Sequence, residues 1–243
     1  MSMKPLQKRC FSDKCDPVKP KTTKDWTQEV RPSTGKTIQA VWNILRHRMP
    51  EGYDTWEAFA SEVSFLDLFA GLGHITQSAV QAGCGRVYAL EKHPKRCPLI
   101  RQYASKHLTS SQTLDVFQAD VLQAVQHACP HSGGFSLIYI DPPYDLPQHA
   151  GLSIFWVESL LKPLLGLTMA DGSHGWFSPV VSSQNWGYIV LECRASELET
   201  LQTLLAHALP TLCMGNNKVG IDFTRVYGQA GLIFLSKNDK VSS

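Results

Sequence analysis

Two carboxylates, each at the end of an apolar run, mark where this chain could do chemistry. The first run, Ser64-Phe65-Leu66-Asp67-Leu68-Phe69-Ala70-Gly71-Leu72-Gly73, reaches an acid and then breaks into Gly-x-Gly. The run is short enough to be a buried strand, and the glycines let the backbone turn sharply and come close to a ligand. A helix beginning near His74 would aim its free N–H groups at that ligand, which in a dinucleotide-binding fold is a pyrophosphate. Two residues argue against pyrophosphate here. Asp67 at the strand tip repels a phosphate and attracts a cation or an ammonium group, and Thr76 holds the place of the third glycine of the dinucleotide fingerprint. Gly-x-Gly alone is also an ordinary strand-to-helix turn. The second run, Phe135-Ser136-Leu137-Ile138-Tyr139-Ile140, leads into Asp141-Pro142-Pro143-Tyr144. Consecutive prolines donate no backbone hydrogen bond and hold the loop extended, while their carbonyls stay available as acceptors. An acid, a fixed carbonyl and an aromatic ring at one strand tip can accept hydrogen bonds from a planar amine and stack on its ring.

At Asp141-Pro142-Pro143-Tyr144 the chain resembles the S-adenosylmethionine-dependent methyltransferases that act on exocyclic nitrogens of nucleobases. Arg31-Pro32-Ser33-Thr34, the stretch Ile38-Gln39-Ala40-Val41-Trp42-Asn43-Ile44-Leu45, the Asp67 to Gly73 loop and the proline motif, in that order, look like the RsmD family of bacterial guanine-N2 methyltransferases of small-subunit ribosomal RNA. The likeness covers roughly residues 28 to 236. It implies a class I, Rossmann-like α/β fold whose seven-stranded, mostly parallel sheet ends in an antiparallel hairpin and carries helices on both faces. It implies S-adenosylmethionine as cofactor, held by Asp67, Phe69, Ala70, Gly71 and Gly73, by Glu91 and Lys92, and by Asp120 and Val121. Asp141, Pro142 and Tyr144 would then be catalytic, with Arg31, Pro143 and Tyr144 on the substrate. The implied partner is ribosomal RNA or the small ribosomal subunit, and the implied state is a monomer. The chain departs from the family in lacking a clear Gly-Arg-Lys hairpin ahead of Arg31 and in a longer connection over 166–186.

The rhythm of apolar runs predicts the elements that must hold these groups: strands at 63–68, 86–91, 115–118 and 135–140 alternating with helices at 73–83, 94–107, 120–128 and 152–165. Such βαβα order predicts a parallel sheet with helices on both faces, with ligands outside the C-terminal strand ends. Glu91 ends the second strand about twenty residues beyond the glycine loop, where an acid can bind both hydroxyls of a ribose. Asp120 is placed either to meet the adenine amine or to cap the helix at Val121. Ser33 or Thr34 caps a first helix whose Ile38, Val41, Trp42 and Leu45 make an apolar stripe. Arg46, His47 and Arg48 suit that helix's C-terminal turn on structural grounds alone. Trp176, Phe177 and Trp186 in the 166–186 loop either anchor it to the body or stack on bases, and anchoring is the expectation. A strand from Tyr188 to Glu192, a helix from Ser196 and a hairpin about Gly228 to Gly231 complete the chain. His74 and His93 lie near the cofactor loops and are read as structural or solvent-facing.

With 243 residues, 43% hydrophobic, the chain has room for one large core and a short appendage. The expected division is a basic tail over 1–27, disordered or extended, then one domain over 28–236 with a helical element at 28–62, and a tail over 237–243. Residues 1 to 48 hold eleven Lys and Arg against four acids, while the remainder holds twelve against seventeen. Basic charge gathered at one end fits an arm that meets a polyanion, or a plain solvated tail. Seven cysteines without a Cys-x-x-Cys pair read as reduced thiols, and the absence of a long apolar run or signal peptide reads as a soluble cytoplasmic protein with no membrane partner. No metal is expected. Adenine-N6 or cytosine-N4 methylation would use the same acceptor motif, protein glutamine methylation usually begins that motif with Asn, and an RNA-binding ribosome assembly factor without catalysis would not need it intact. A nicotinamide oxidoreductase explains the glycine loop but leaves Asp141 to Tyr144 without a role.

Overall fold

The structure is a computed structural model that describes residues 35–127, 129–143, 154–165, 175–179, 186–212 and 219–237. The expectations for the N-terminal tail, for Arg31 and for Tyr144 lie outside these residues. Seven strands form one sheet: β1 Ser64–Asp67, β2 Arg86–Glu91, β3 Thr113–Gln118, β4 Leu137–Ile140, β5 Tyr188–Arg194, β6 Val219–Tyr227 and β7 Ala230–Lys237. Their spatial order is β3-β2-β1-β4-β5-β7-β6. The first five run parallel, and β7 is antiparallel to both β5 and β6. The expected terminal hairpin is therefore present, with longer strands than the apolar runs alone suggest. β3 likewise begins at Thr113, because pairing with Arg86 continues the ladder beyond its apolar centre.

Alternation along the strands divides the core into two layers. Leu66, Ile138, Ile140, Ile189 and Leu191 pack on one face beneath Phe155, Trp156, Leu201 and Leu205. These last come from the wide helical turn Ile154–Leu161, which runs into α6 Lys162–Leu165, and from α7 Leu198–Leu212. Phe65, Leu137, Tyr139 and Val190 pack on the other face against α1 Gly35–His47, α2 Trp56–Ala60 and α3 His74–Gln81. Burial on both faces is why the central strands read as unbroken apolar runs. The helices α4 Arg96–Ala104 and α5 Val121–Ala124 complete the crossovers. The latter ends well short of the helix expected over 120–128.

α1 is fixed by its apolar stripe. Val41, Trp42 and Leu45 are buried, and the Trp42 indole N–H donates to Ser78 Oγ at 2.9 Å. Arg48 just beyond it pairs with Asp222 at 2.6 Å and lies over the Phe223 ring, a structural role as expected. The aromatics of the 166–186 connection also act as anchors: Trp176, Phe177 and Trp186 are all buried. Phe177 bridges Phe135 beside the start of β4, and the Trp176 indole donates to the His127 carbonyl at 2.9 Å. Among the described residues no helix is long and apolar enough to cross a membrane.

Candidate active site

Each of the five parallel strands delivers an acid to the same end of the sheet. Asp67 ends β1, Glu91 ends β2, Asp120 follows β3, Asp141 follows β4, and Glu192 lies near the end of β5. All five line one cleft of about 1800 Å³, which also takes in the N-terminal residues of α1 and the β6–β7 turn. This is the crevice expected outside the carboxyl ends of an open α/β sheet.

Asp67 is 2% exposed and accepts a hydrogen bond from the Thr76 hydroxyl at 2.7 Å. Burial pushes its carboxyl up to about 7, the neighbouring charge of Glu91 pushes the same way, and the Thr76 hydroxyl only partly offsets them. The residue standing where a dinucleotide fold has its third glycine thus holds the carboxylate at the bottom of the cleft. The loop that follows is tied down by Leu68 N–H to the Tyr139 carbonyl and Ala70 N–H to the Leu90 carbonyl, both at 3.0 Å. Gly73 precedes α3 with φ of 81°, and a Cβ there would come within 3.0 Å of Ile100. Glycine at this point satisfies both the left-handed backbone and the close packing of α3 on α4.

Glu91 is buried, and its oxygens are already engaged. Oε2 accepts the Gly71 N–H at 2.8 Å and Oε1 accepts the His93 N–H at 2.7 Å, with Arg96 3.5 Å away. The acid expected to meet a ribose therefore also holds the glycine loop shut against β2. A carboxylate offers about four lone-pair sites, so both roles fit one residue. Of the two roles expected for Asp120, the structure shows the helix cap. Its side chain accepts the Leu122 N–H at 3.0 Å as the cap of α5, and it lines the cleft. Lys92 at 2.7 Å holds the Asp120 carboxyl below its ordinary value. Phe69, Ala70, Gly71, Lys92 and Val121 all border the cleft as well, whereas Gly73 stands behind the loop as a backbone hinge.

On the other side of β1, Asp141 is half-buried, Pro142 is buried and Pro143 is exposed, and all three face the cleft. Tyr139 and Glu192 were not singled out as site residues by sequence reasoning. The Tyr139 hydroxyl, fully buried, donates to Glu192 Oε2. Burial, with the charges of Glu192, Asp141 and Asp67 behind it, holds that phenol well above its ordinary value. The available signal was that the run ending in Glu192 closes on an acid as the other four strands do. His74 is exposed at the cleft wall and His93 contributes its backbone N–H to Glu91, so neither histidine is placed as a base. Among the described residues no cluster suited to a metal ion occurs.

The sequence profile of a family described as Conserved hypothetical protein 95 matches residues 19–167, more than half of the chain. The chain belongs to the Conserved hypothetical protein 95 family. That match spans the glycine loop, both motif carboxylates and the helix before them, and it stops ahead of β5. No curated protein matches the sequence significantly. Among solved structures, this family member is similar to a presumed methylase of Haemophilus influenzae, HI0767, with a TM-score of 0.53, 15% identity, and coverage of 83% of this chain and 98% of that one. A presumed RNA methyltransferase of Pyrococcus horikoshii, PH1948, gives 0.55 and 11% over 91% and 94% of the two chains. SMU.776, a presumed methyltransferase complexed with SAH, gives 0.51 and 15% over 73% of this chain and 46% of that one. These likenesses establish the fold of the Conserved hypothetical protein 95 chain as that of the class I methyltransferases.

Proposed function

We propose that this chain transfers a methyl group from S-adenosylmethionine to the exocyclic N2 amine of a guanine in small-subunit ribosomal RNA. The observation that carries the proposal is one cleft in which Asp67 and Asp141 stand at the tips of the adjacent strands β1 and β4, with Pro142 beside the second. The donor set fits a cationic nucleoside better than a pyrophosphate, because Asp67 puts a carboxyl where a phosphate would lie and Glu91 already takes the Gly71 N–H of the glycine loop. The methyltransferase names carried by structural neighbours, one of them complexed with SAH and one an RNA methyltransferase, support the same reading.

When bound, S-adenosylmethionine supplies an activated methyl group on a sulfonium. Asp67 holds the amino acid ammonium, Glu91 the ribose hydroxyls and Asp120 the adenine amine. A base amine is a weak nucleophile because its lone pair is delocalised into the ring, so the residues around it must position and repolarise it. The Asp141 carboxylate and the Pro142 carbonyl each accept one N–H, which draws the nitrogen toward tetrahedral geometry and aims its lone pair. Tyr144 stacks on the extruded base and Arg31 meets the RNA. The proton leaves after transfer, through Asp141 to water.

The test is incubation with labelled S-adenosylmethionine and small ribosomal subunits from a strain lacking the enzyme, followed by digestion of the RNA and identification of the methylated nucleoside. N2-methylguanosine at one site is expected. Methylated adenine or cytosine would overturn the guanine assignment and leave the cleft chemistry standing. No methylation, with cofactor binding verified by calorimetry, would move the chain to another substrate.

A further inference from the structure

Five acids line the cleft, and the proposed reaction uses four of them. In the sheet order the cofactor acids belong to β3, β2 and β1, and the acceptor acid follows β4. β5 lies beyond β4, away from β1, so Glu192 falls on the acceptor side. The last registered pair between β4 and β5 is Ile140 with Leu191. The next residue beyond that pair is an acid on each side, Asp141 just after β4 and Glu192 within β5, and both line the cleft. Glu192 is 4% exposed, lines the cleft and receives the Tyr139 hydroxyl. A carboxylate is kept out of water here at a cost, and the phenol fixes its direction.

Resting on the guanine reading above, we propose that Glu192 determines base specificity by accepting the N1–H of the acceptor guanine while Asp141 and Pro142 hold its N2 amine. Guanine presents N1–H and N2–H as adjacent donors on one edge, and two adjacent carboxylates complement that pair. In adenine the ring nitrogen next to the amine is an acceptor, as is the corresponding nitrogen of cytosine. Either base would set a lone pair against the Glu192 carboxylate, a buried mismatch that discriminates by roughly 10- to 100-fold.

The test uses a synthetic RNA fragment carrying the methylated position, made with guanine or with 2-aminopurine there. 2-Aminopurine keeps the N2 amine and has an unprotonated N1. Wild-type kcat/KM is expected to favour guanine strongly. Glu192→Gln, whose amide can donate to N1, is expected to narrow the ratio by roughly tenfold or more. Glu192→Asp keeps the charge, withdraws it from the base, and is expected to narrow the ratio less. A merely structural role would slow both substrates alike. Wild-type ratios in both variants, with cofactor affinity intact, would overturn the role of Glu192 and leave the guanine reading standing. Failure of the wild-type chain to methylate guanine both in the fragment and in small ribosomal subunits reconstituted with it would overturn that reading and the Glu192 role with it.

Discussion

Replacing Asp67 by Asn removes the most deeply buried carboxylate of the cleft and should separate stability from binding. Burial sets the Asp67 carboxyl at about 7 in the folded chain against 3.8 for an ordinary aspartate. A carboxyl whose folded value is raised contributes stability that is fully present below the unfolded value and is lost as pH rises toward the folded one. The difference of about 3 units corresponds to about 4 kcal/mol in total, of which about 3 kcal/mol falls between pH 5 and pH 8. The assay is urea unfolding of both proteins across that range. The wild-type chain should lose about 3 kcal/mol relative to Asp67→Asn between the two ends, because every other titrating group is common to both. Calorimetric titration with S-adenosylmethionine supplies the opposite sign. Ionised Asp67 pairs with the ammonium, so wild-type affinity should rise from pH 5.5 to pH 7, while the Asn variant binds more weakly with that rise flattened. Parallel stability curves for the two proteins would refute the protonated, desolvated carboxyl. Equal cofactor affinities would refute its place in the pocket.

Asp141→Asn should lower the methyl-transfer rate by at least about a hundredfold while leaving cofactor affinity nearly unchanged, since one acceptor becomes a donor facing the amine; a matching loss in both on single-turnover kinetics and calorimetry would refute the separation. Gly85→Ala places a Cβ 1.9 Å from the Ser61 carbonyl oxygen where α2 meets the start of β2. Its backbone must move, and a loss of about 1–3 kcal/mol in chemical denaturation is expected. Burial pushes the Cys129 thiol up to about 11 and the Cys193 thiol up to about 12. Site-resolved alkylation at pH 8 should find Cys193 with roughly three orders of magnitude less thiolate than in urea, and fast native labelling would contradict its packing.

Much of the site was legible because parallel strands buried on both faces must be continuous apolar runs, and an acid that stops such a run stands out. Asp67, Glu91 and Asp141 were located that way, and Asp120 by its place after the short run Phe117-Gln118-Ala119 at the end of the edge strand; the structure brings all four to one cleft. Thr76 was legible only as a missing glycine, because nothing local says that its hydroxyl reaches back nine residues to a buried carboxylate. Element ends were less legible. Apolar pattern marks the buried centre of a strand, while pairing with a neighbour decides its length, as Thr113 and the long β6–β7 ladder show.

The sequence alone determined the fold class, the alternation of strands and helices, and the two chemical motifs, because periodicity, Gly-x-Gly and Asp-Pro-Pro act over a few residues. Tertiary structure decided the lateral order of the strands, which joins β4 to β5 across nearly fifty residues of chain and so brings Glu192 into the same cleft as Asp141. It also decided which charges are buried together, and hence that Asp67 sits near 7 and that Tyr139 keeps its proton. Those properties depend on desolvation and on neighbours distant in sequence, and no local pattern encodes them.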